Sequence, residues 1–317
     1  MRWWDRISAN RFAVLGRVGM DLYADPPGTR IEEARAYFPA IGGSAGNIAV
    51  ALARLGSPSH LITRVSDDAV GRYCLGELAR YGVDTGHVAL HGAGSRTSLA
   101  VVETRTQPSS VLYRNNAADF ALCAEDVAAI DFGPIGALII TGTALAAEPS
   151  RGATQLAAAR ARAAGALVVL DIDHRAYSWA SDAEAGRVYR SLAETADIVI
   201  GNDDEFGLLA GGYDQGADYA RALAQTCAFT VYKRGGKGCH TFTPDYGFAT
   251  PIFPVTAQKP MGAGDGFMGG LMSGLATGDT LPNAVRRGAA TAAIIVAGIG
   301  CAPASPDRAT LDAFMNR

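Results

Sequence analysis

The chain has 317 residues, 49% of them hydrophobic and 19% charged, with a formal net charge of −3. That balance is ordinary for a soluble globular protein and leaves no basic field with which to hold nucleic acid or an anionic membrane. Five scattered cysteines (Cys74, Cys123, Cys227, Cys239 and Cys301) form no CxxC pair, which argues against a disulfide frame or a zinc site and for reduced thiols.

In chain order, "MRWWDRISANRF" lacks the apolar core of a signal peptide, so a cytoplasmic protein is expected. The segments "FAVLG" (12–16), "SHLITRV" (59–65), "ALIITG" (137–142), "ALVVLDID" (166–173), "ADIVIGN" (196–202) and "FTVYKRG" (229–235) read as strands. Helix-length, Ala-rich stretches separate them, which predicts parallel pairing through right-handed crossovers. Ligands of such sheets sit at the carboxyl ends of the strands. Two segments, 23–41 and 97–115, alternate without a helix between their halves and predict a small antiparallel sheet outside the core. Surface hairpins are the plainer alternative. The uncharged run 288–306 is strongly apolar only at its centre and reads as a buried helix, not a membrane span.

Two glycine-rich stretches carry the chemistry. In "MGAGDGF" (261–267), the glycines continue at spacing four through Gly266, Gly270, Gly274 and Gly278. On a helix these lie on one face and permit close packing, so "MGAGD" is the loop entering that helix. Backbone N–H groups there can receive negative charge without a Lys or Arg. Asp265 then either caps the helix or takes a proton from a hydroxyl while the amides hold a phosphoryl group. The residues alone leave both open. "GGSAGNIAVALARLG" (42–56) is a second close-approach turn, in which Asn47 can both donate to and accept from a polyol.

Together these stretches resemble the two signatures of the PfkB, or ribokinase-like, sugar kinases. The likeness extends to "GRVGMDLY" (16–23), "NDDE" (202–205) and "KRGGKG" (233–238), and so to nearly the whole chain. It implies one domain over 1–317: an α/β, ribokinase-like three-layer sandwich with a mainly parallel central sheet and a small β-sheet lid. By the same resemblance Asp265 is the base, and Gly262, Ala263 and Gly264 form the anion hole. Asn202 and Glu205 organise Mg²⁺ through water, Lys233, Gly235 and Gly238 line ATP, and Asp21, Gly43 and Asn47 hold sugar hydroxyls. A monovalent cation and a homodimer paired through the lid are further expectations.

A closer likeness, in "VLYRNNAAD" (111–119), "TGTALAAEPSR" (141–151) and "LDIDHRAYSW" (170–179), is to the 5-dehydro-2-deoxygluconokinases, with a looser one to 2-keto-3-deoxygluconate kinases. An acid sugar needs cations, and arginine grips a carboxylate bidentately. Arg114 and Arg175 are the expected partners, although these, like Arg17, could equally close surface ion pairs. A neutral sugar such as ribose or fructose, a nucleoside, or a non-catalytic sugar or nucleotide sensor remain alternatives. Two departures stand out: Lys259, Pro260 and Met261 replace a common Asp-Thr-Thr, and Ala289 replaces an Asn that borders adenine in many relatives.

Overall fold

The computed structural model describes residues 3–92, 94–104, 109–259 and 261–316. Six parallel strands form the middle of the main sheet: β1 (Phe12–Leu15), β4 (Ser59–Ser66), β8 (Ala137–Thr141), β9 (Leu167–Asp171), β10 (Ile198–Asn202) and β11 (Phe229–Lys233). These are the six strands expected from the sequence, five of them trimmed at their ends and β4 one residue longer than expected. Three short strands complete the sheet: β5 (Val88–His91), parallel to β4, and β12 (Cys239–Phe242) and β13 (Gly247–Thr250), antiparallel on the far edge. The order is β13-β12-β11-β10-β9-β8-β1-β4-β5.

The sheet is apolar on both faces, which makes three layers. Along β1, Phe12 and Val14 join one core with Ile48 and Met268. Ala13 and Leu15 join the other with Ala157, Tyr189 and Phe206. Successive side chains of a strand point to opposite faces, so a continuous apolar run is what a doubly covered strand requires. The glycine helix, Ala263–Ala276, packs on the helix Leu281–Val296 through the predicted face. A Cβ on Gly266 would meet Ile295, one on Gly270 would meet Arg287 O, and one on Gly274 would meet Ala284. Gly278 lies past the end of the helix and takes φ +91° instead. The run 288–306 is not one helix: it leaves Leu281–Val296 and turns into the short helix Cys301–Ala304. No helix among the described residues is long and apolar enough to cross a membrane.

The small sheet corrects one expectation. Its strands are β2 (Gly19–Asp25), β3 (Ala36–Gly42), β6 (Ser98–Val102) and β7 (Ser110–Tyr113), in the order β3-β2-β6-β7. The two hairpin-like pairs are antiparallel, but β2 and β6 join them in parallel. The sheet is therefore mixed, because each segment brings its own antiparallel pair and the two pairs meet through strands running the same way. It also begins earlier than 23, at Gly19. Residues 105–108 of the second segment, and Pro260, lie outside the described residues.

Candidate active site

The glycine pair at 42–43 lets the small sheet and the main core touch. A Cβ on Gly42 would overlap the Asp21 carboxylate, and one on Gly43 (φ +84°) would meet Arg17 O at 2.5 Å. With both absent, the chain enters the helix Ser44–Arg54 directly beneath Asp21. That entry aims Asn47 at the glycine helix, where its Nδ2 donates to Asp265 Oδ2 at 2.8 Å. Asn47 Oδ1 is buried and has no protein partner.

Asp265 sits in the first turn of the glycine helix, behind Gly262 (φ +83°). A side chain on Gly262 would collide with the Cys301 thiol. Burial pushes the Asp265 carboxyl up to about 7, and Asp173 and Asp171 add to the rise. The Asn47 bond and Arg175 pull the other way but do not offset it. Asp265 is not the N-cap, a place taken by Gly262.

Three neighbouring parallel strands deliver further polar groups at their carboxyl ends. Asp171 ends β9, Asn202 ends β10 and Lys233 ends β11. The Lys233 ammonium lies 3.6 Å from Asp171 Oδ1. Burial works against its charge, but Asp171, Glu205, Asp265 and Asp173 outweigh that and raise its pKa. Burial lifts Asp171 to about 6 against the pull of Lys233. Asp173, in the left-handed region (φ +39°), accepts from Ser44 Oγ at 2.5 Å and pairs with Arg175 Nη2 at 2.6 Å. Asn202 and Glu205 form a reciprocal helix cap: Asn202 Oδ1 accepts from Glu205 N, and Glu205 Oε2 accepts from Asn202 N. Glu205 Oε1 accepts from His174 N. Four carboxylates thus share two cations, an arrangement that favours a further cation beside them.

These groups line a cavity of about 640 Å³ that also contains Asp21, Gly43, Asn47 and the 262–264 backbone. Its roof is the small sheet, through Ala100, Val102, Ser110 and Leu112. Asp21 accepts from Tyr23 at 3.3 Å, and Arg17 donates to Ser98 Oγ at 2.9 Å on the same wall. Arg114 is placed elsewhere. It is buried, pairs with Asp119 at 2.5 Å, donates to Thr143 O and lies 4.1 Å over the Phe120 ring. It does not line the cavity, so the expectation that it faces the substrate is corrected: its charge is neutralised within its own loop. Arg17, set aside as an ion-pair candidate, lines the cavity instead.

The pfkB family carbohydrate kinase model matches residues 9–308. The chain belongs to this family. It is 39% identical to the 5-dehydro-2-deoxygluconokinase of Photobacterium profundum over 309 residues, 95% of this chain and 93% of that protein. It is 35% identical to the enzyme of the same name from Geobacillus kaustophilus, over 96% and 93% of the two chains. Among solved structures, a fructokinase double mutant from Vibrio cholerae O395, in its fructose-, ADP- and potassium-bound form, superposes with a TM-score of 0.86 at 27% identity. That match covers 96% of this chain and 98% of the other. A PfkB protein from Polaromonas sp. JS666 gives 0.82 at 30% identity, with 96% and 99% covered.

In this pfkB-family kinase a second cavity, of about 380 Å³, also reaches the 263–264 backbone. Lys233, Gly235, Ala263 and Gly264 line both cavities. Gly235 and Gly238 form the turn between β11 and β12, and Gly238 (φ +78°) lets that turn lie on Thr250 O. The remaining wall is apolar and includes Phe253, Phe267 and Val296. Ala289 is in it, so the departure noted in the sequence falls on this wall. Ser44, Asp173, Tyr177 and Cys301 also line the first cavity and were not picked out from the sequence. Asp173 had a readable signal, as the second acid of "LDID" at a strand end. Cys301 had none, because it reaches the site from a helix turn 36 residues after Asp265.

Proposed function

We propose that this carbohydrate kinase transfers the γ-phosphoryl of ATP to a primary hydroxyl of a sugar acid, with 5-dehydro-2-deoxygluconate as substrate. The observation that carries the reading is the placement of Asp265, held by Asn47 where a polar and an apolar cavity share one glycine backbone. The apolar cavity suits a purine, and the polar one suits a hydroxylated, anionic substrate. Asp265 takes the hydroxyl proton as the oxygen attacks the γ-phosphorus in line and the bond to the β-phosphate oxygen breaks, releasing ADP. The N–H groups of Gly262, Ala263 and Gly264 receive the charge on the transferring oxygens at the positive end of the helix. Lys233 lies 3.3 Å from where a Cβ of Gly264 would stand and is poised for the phosphates.

Asn47 Oδ1, buried and without a protein partner, suits a sugar hydroxyl, as does Asp21. Arg17 takes the substrate carboxylate in this reading, since its hydrogen bond goes to the neutral Ser98 hydroxyl, whereas Arg175 is tied to Asp173. The relatives named 5-dehydro-2-deoxygluconokinase support a sugar acid.

Asn202 and Glu205 would hold Mg²⁺ through its waters. Both Glu205 oxygens already accept backbone N–H groups, yet a carboxylate has about four lone-pair sites. No cluster of three or more His, Cys, Asp or Glu side chains suited to direct ligation occurs among the described residues, which fits a largely hydrated ion. When bound, Mg²⁺ neutralises charge on the phosphates. Exposed Tyr37, Val111 and Tyr113 of the small sheet support a homodimer through the lid of a cytoplasmic enzyme.

ADP release measured over a panel of sugar acids, neutral sugars and nucleosides tests the reading, with light scattering of the same sample for the dimer. The largest kcat/KM is expected with 5-dehydro-2-deoxygluconate. A larger value with fructose or ribose would overturn the acid assignment.

A further inference from the structure

Lys259 is among the largest fully buried side chains, at 1% relative exposure. A buried ammonium is held against its desolvation only when its donors are used. Here Nζ donates to Met261 O at 2.8 Å and to Cys301 Sγ at 3.4 Å. The Cys301 thiol reaches the same carbonyl at 3.6 Å and lies 3.8 Å from the Tyr23 hydroxyl, which donates to Asp21. The backbone of Lys259 is anchored too, because its N–H and that of Gln258 both donate to Val296 O at the end of the helix Leu281–Val296.

The Met261 carbonyl belongs to the peptide that opens the anion hole. In a trans peptide the C=O and the following N–H point in opposite directions. An ammonium fixed on Met261 O therefore dictates the direction of the Gly262 N–H, on the other side of the same plane. It also keeps a positive charge behind the loop, felt by Asp21 and by Cys301. We propose that Lys259 is a positioning residue for phosphoryl transfer: a buried cation tethered to the chain that orients the Met261–Gly262 peptide. The inference rests on the reading of 262–264 as the anion hole.

The test compares steady-state ADP release by wild type, Lys259→Met and Lys259→Ala, with a thermal unfolding midpoint for each. Lys259→Met keeps the stem and removes the charge. It is expected to lower kcat about 10- to 100-fold and to change the sugar KM by a smaller factor, since the orientation of the hole acts on the transferring phosphoryl and only the charge of Lys259 reaches Asp21. Methylammonium is expected to restore kcat in Lys259→Ala, which has room for it, and not in Lys259→Met. A Lys259→Met kcat within about twofold of wild type, or an alanine variant deaf to the amine, would each overturn the proposal. Wild-type turnover in the same assay separates the two claims: a wrong reading of the reaction leaves every protein without ADP release, a wrong role for Lys259 shows only in the ratios.

Discussion

Asp265 and the glycine amides around it carry opposite preferences for charge, and the geometry separates them. The amides belong to the backbone shared by both cavities, while the carboxylate is held by Asn47 on the side of the polar cavity. A carboxyl pushed up to about 7 is a far better proton acceptor near neutrality than one at its ordinary value. The same logic of neighbours divides the arginines. Arg114, 4% exposed against Asp119 at 5%, is a buried pair, so Arg114→Ala leaves an uncompensated carboxylate. Denaturant unfolding of that variant should show a loss of about 3–5 kcal/mol. Arg17→Ala should leave stability nearly unchanged and raise KM for a sugar acid about 10- to 100-fold more than KM for a neutral sugar. Equal effects on both substrates would remove Arg17 from carboxylate recognition. Nothing in the sequence separated these arginines, because Asp119 is as plausible a surface residue as a partner until the loop is folded.

At the scale of elements, the strands that were legible were those whose burial leaves only one pattern. "ALIIT" and "LVVLD" are buried at every position, and their continuous β-branched runs say so. The two antiparallel strands at one end of the main sheet, "CHTF" and "GFAT", mix polar and apolar residues over four positions, too short for a period to show. The small sheet was legible as two alternating segments, but its parallel β2–β6 joint depends on how two distant segments meet. The glycine spacing of four was readable because a helix face is set by local geometry. Its packing makes a sharp prediction. In Gly270→Ala the new Cβ would meet Arg287 O at 2.8 Å and Gly288 Cα at 3.0 Å, backbone atoms that cannot turn aside. Overpacking of about 1–3 kcal/mol should exceed the gain of up to ~1 kcal/mol in helix propensity. Gly76→Ala, in the helix Ala69–Arg80 with nothing within 4 Å, should instead stabilise by about 0.5–1 kcal/mol. Urea unfolding of the pair reads both signs, and a stabilised Gly270→Ala would contradict the close helix contact.

Over the whole molecule, the fold brings residues more than 200 apart in sequence to one point. Asn47 meets Asp265, Asp21 faces Cys301 through Tyr23, and the acidic wall gathers around three strand ends. The two glycine signatures were visible because each needs its neighbours in the chain. The acidic wall was only half visible, since Asp171, Asp173 and Glu205 come together through strand order rather than spacing. The claim on which the rest depends is that Asp265 is the base, and the kinetics of Asp265→Asn test it most directly. Because the folded carboxyl titrates near 7, above its ordinary value, it is protonated and idle below that pH and ionised above it. Wild-type kcat/KM should therefore rise with pH and level off above an apparent pKa of about 7. Ionisation of a group so raised also works against folding at high pH, so the neutral Asn variant should be no less stable than wild type at about pH 8. Its kcat for ADP release with the sugar acid should fall at least about 100-fold there and lose the rise with pH. A correctly folded Asp265→Asn enzyme turning over within about threefold of wild type would contradict the account.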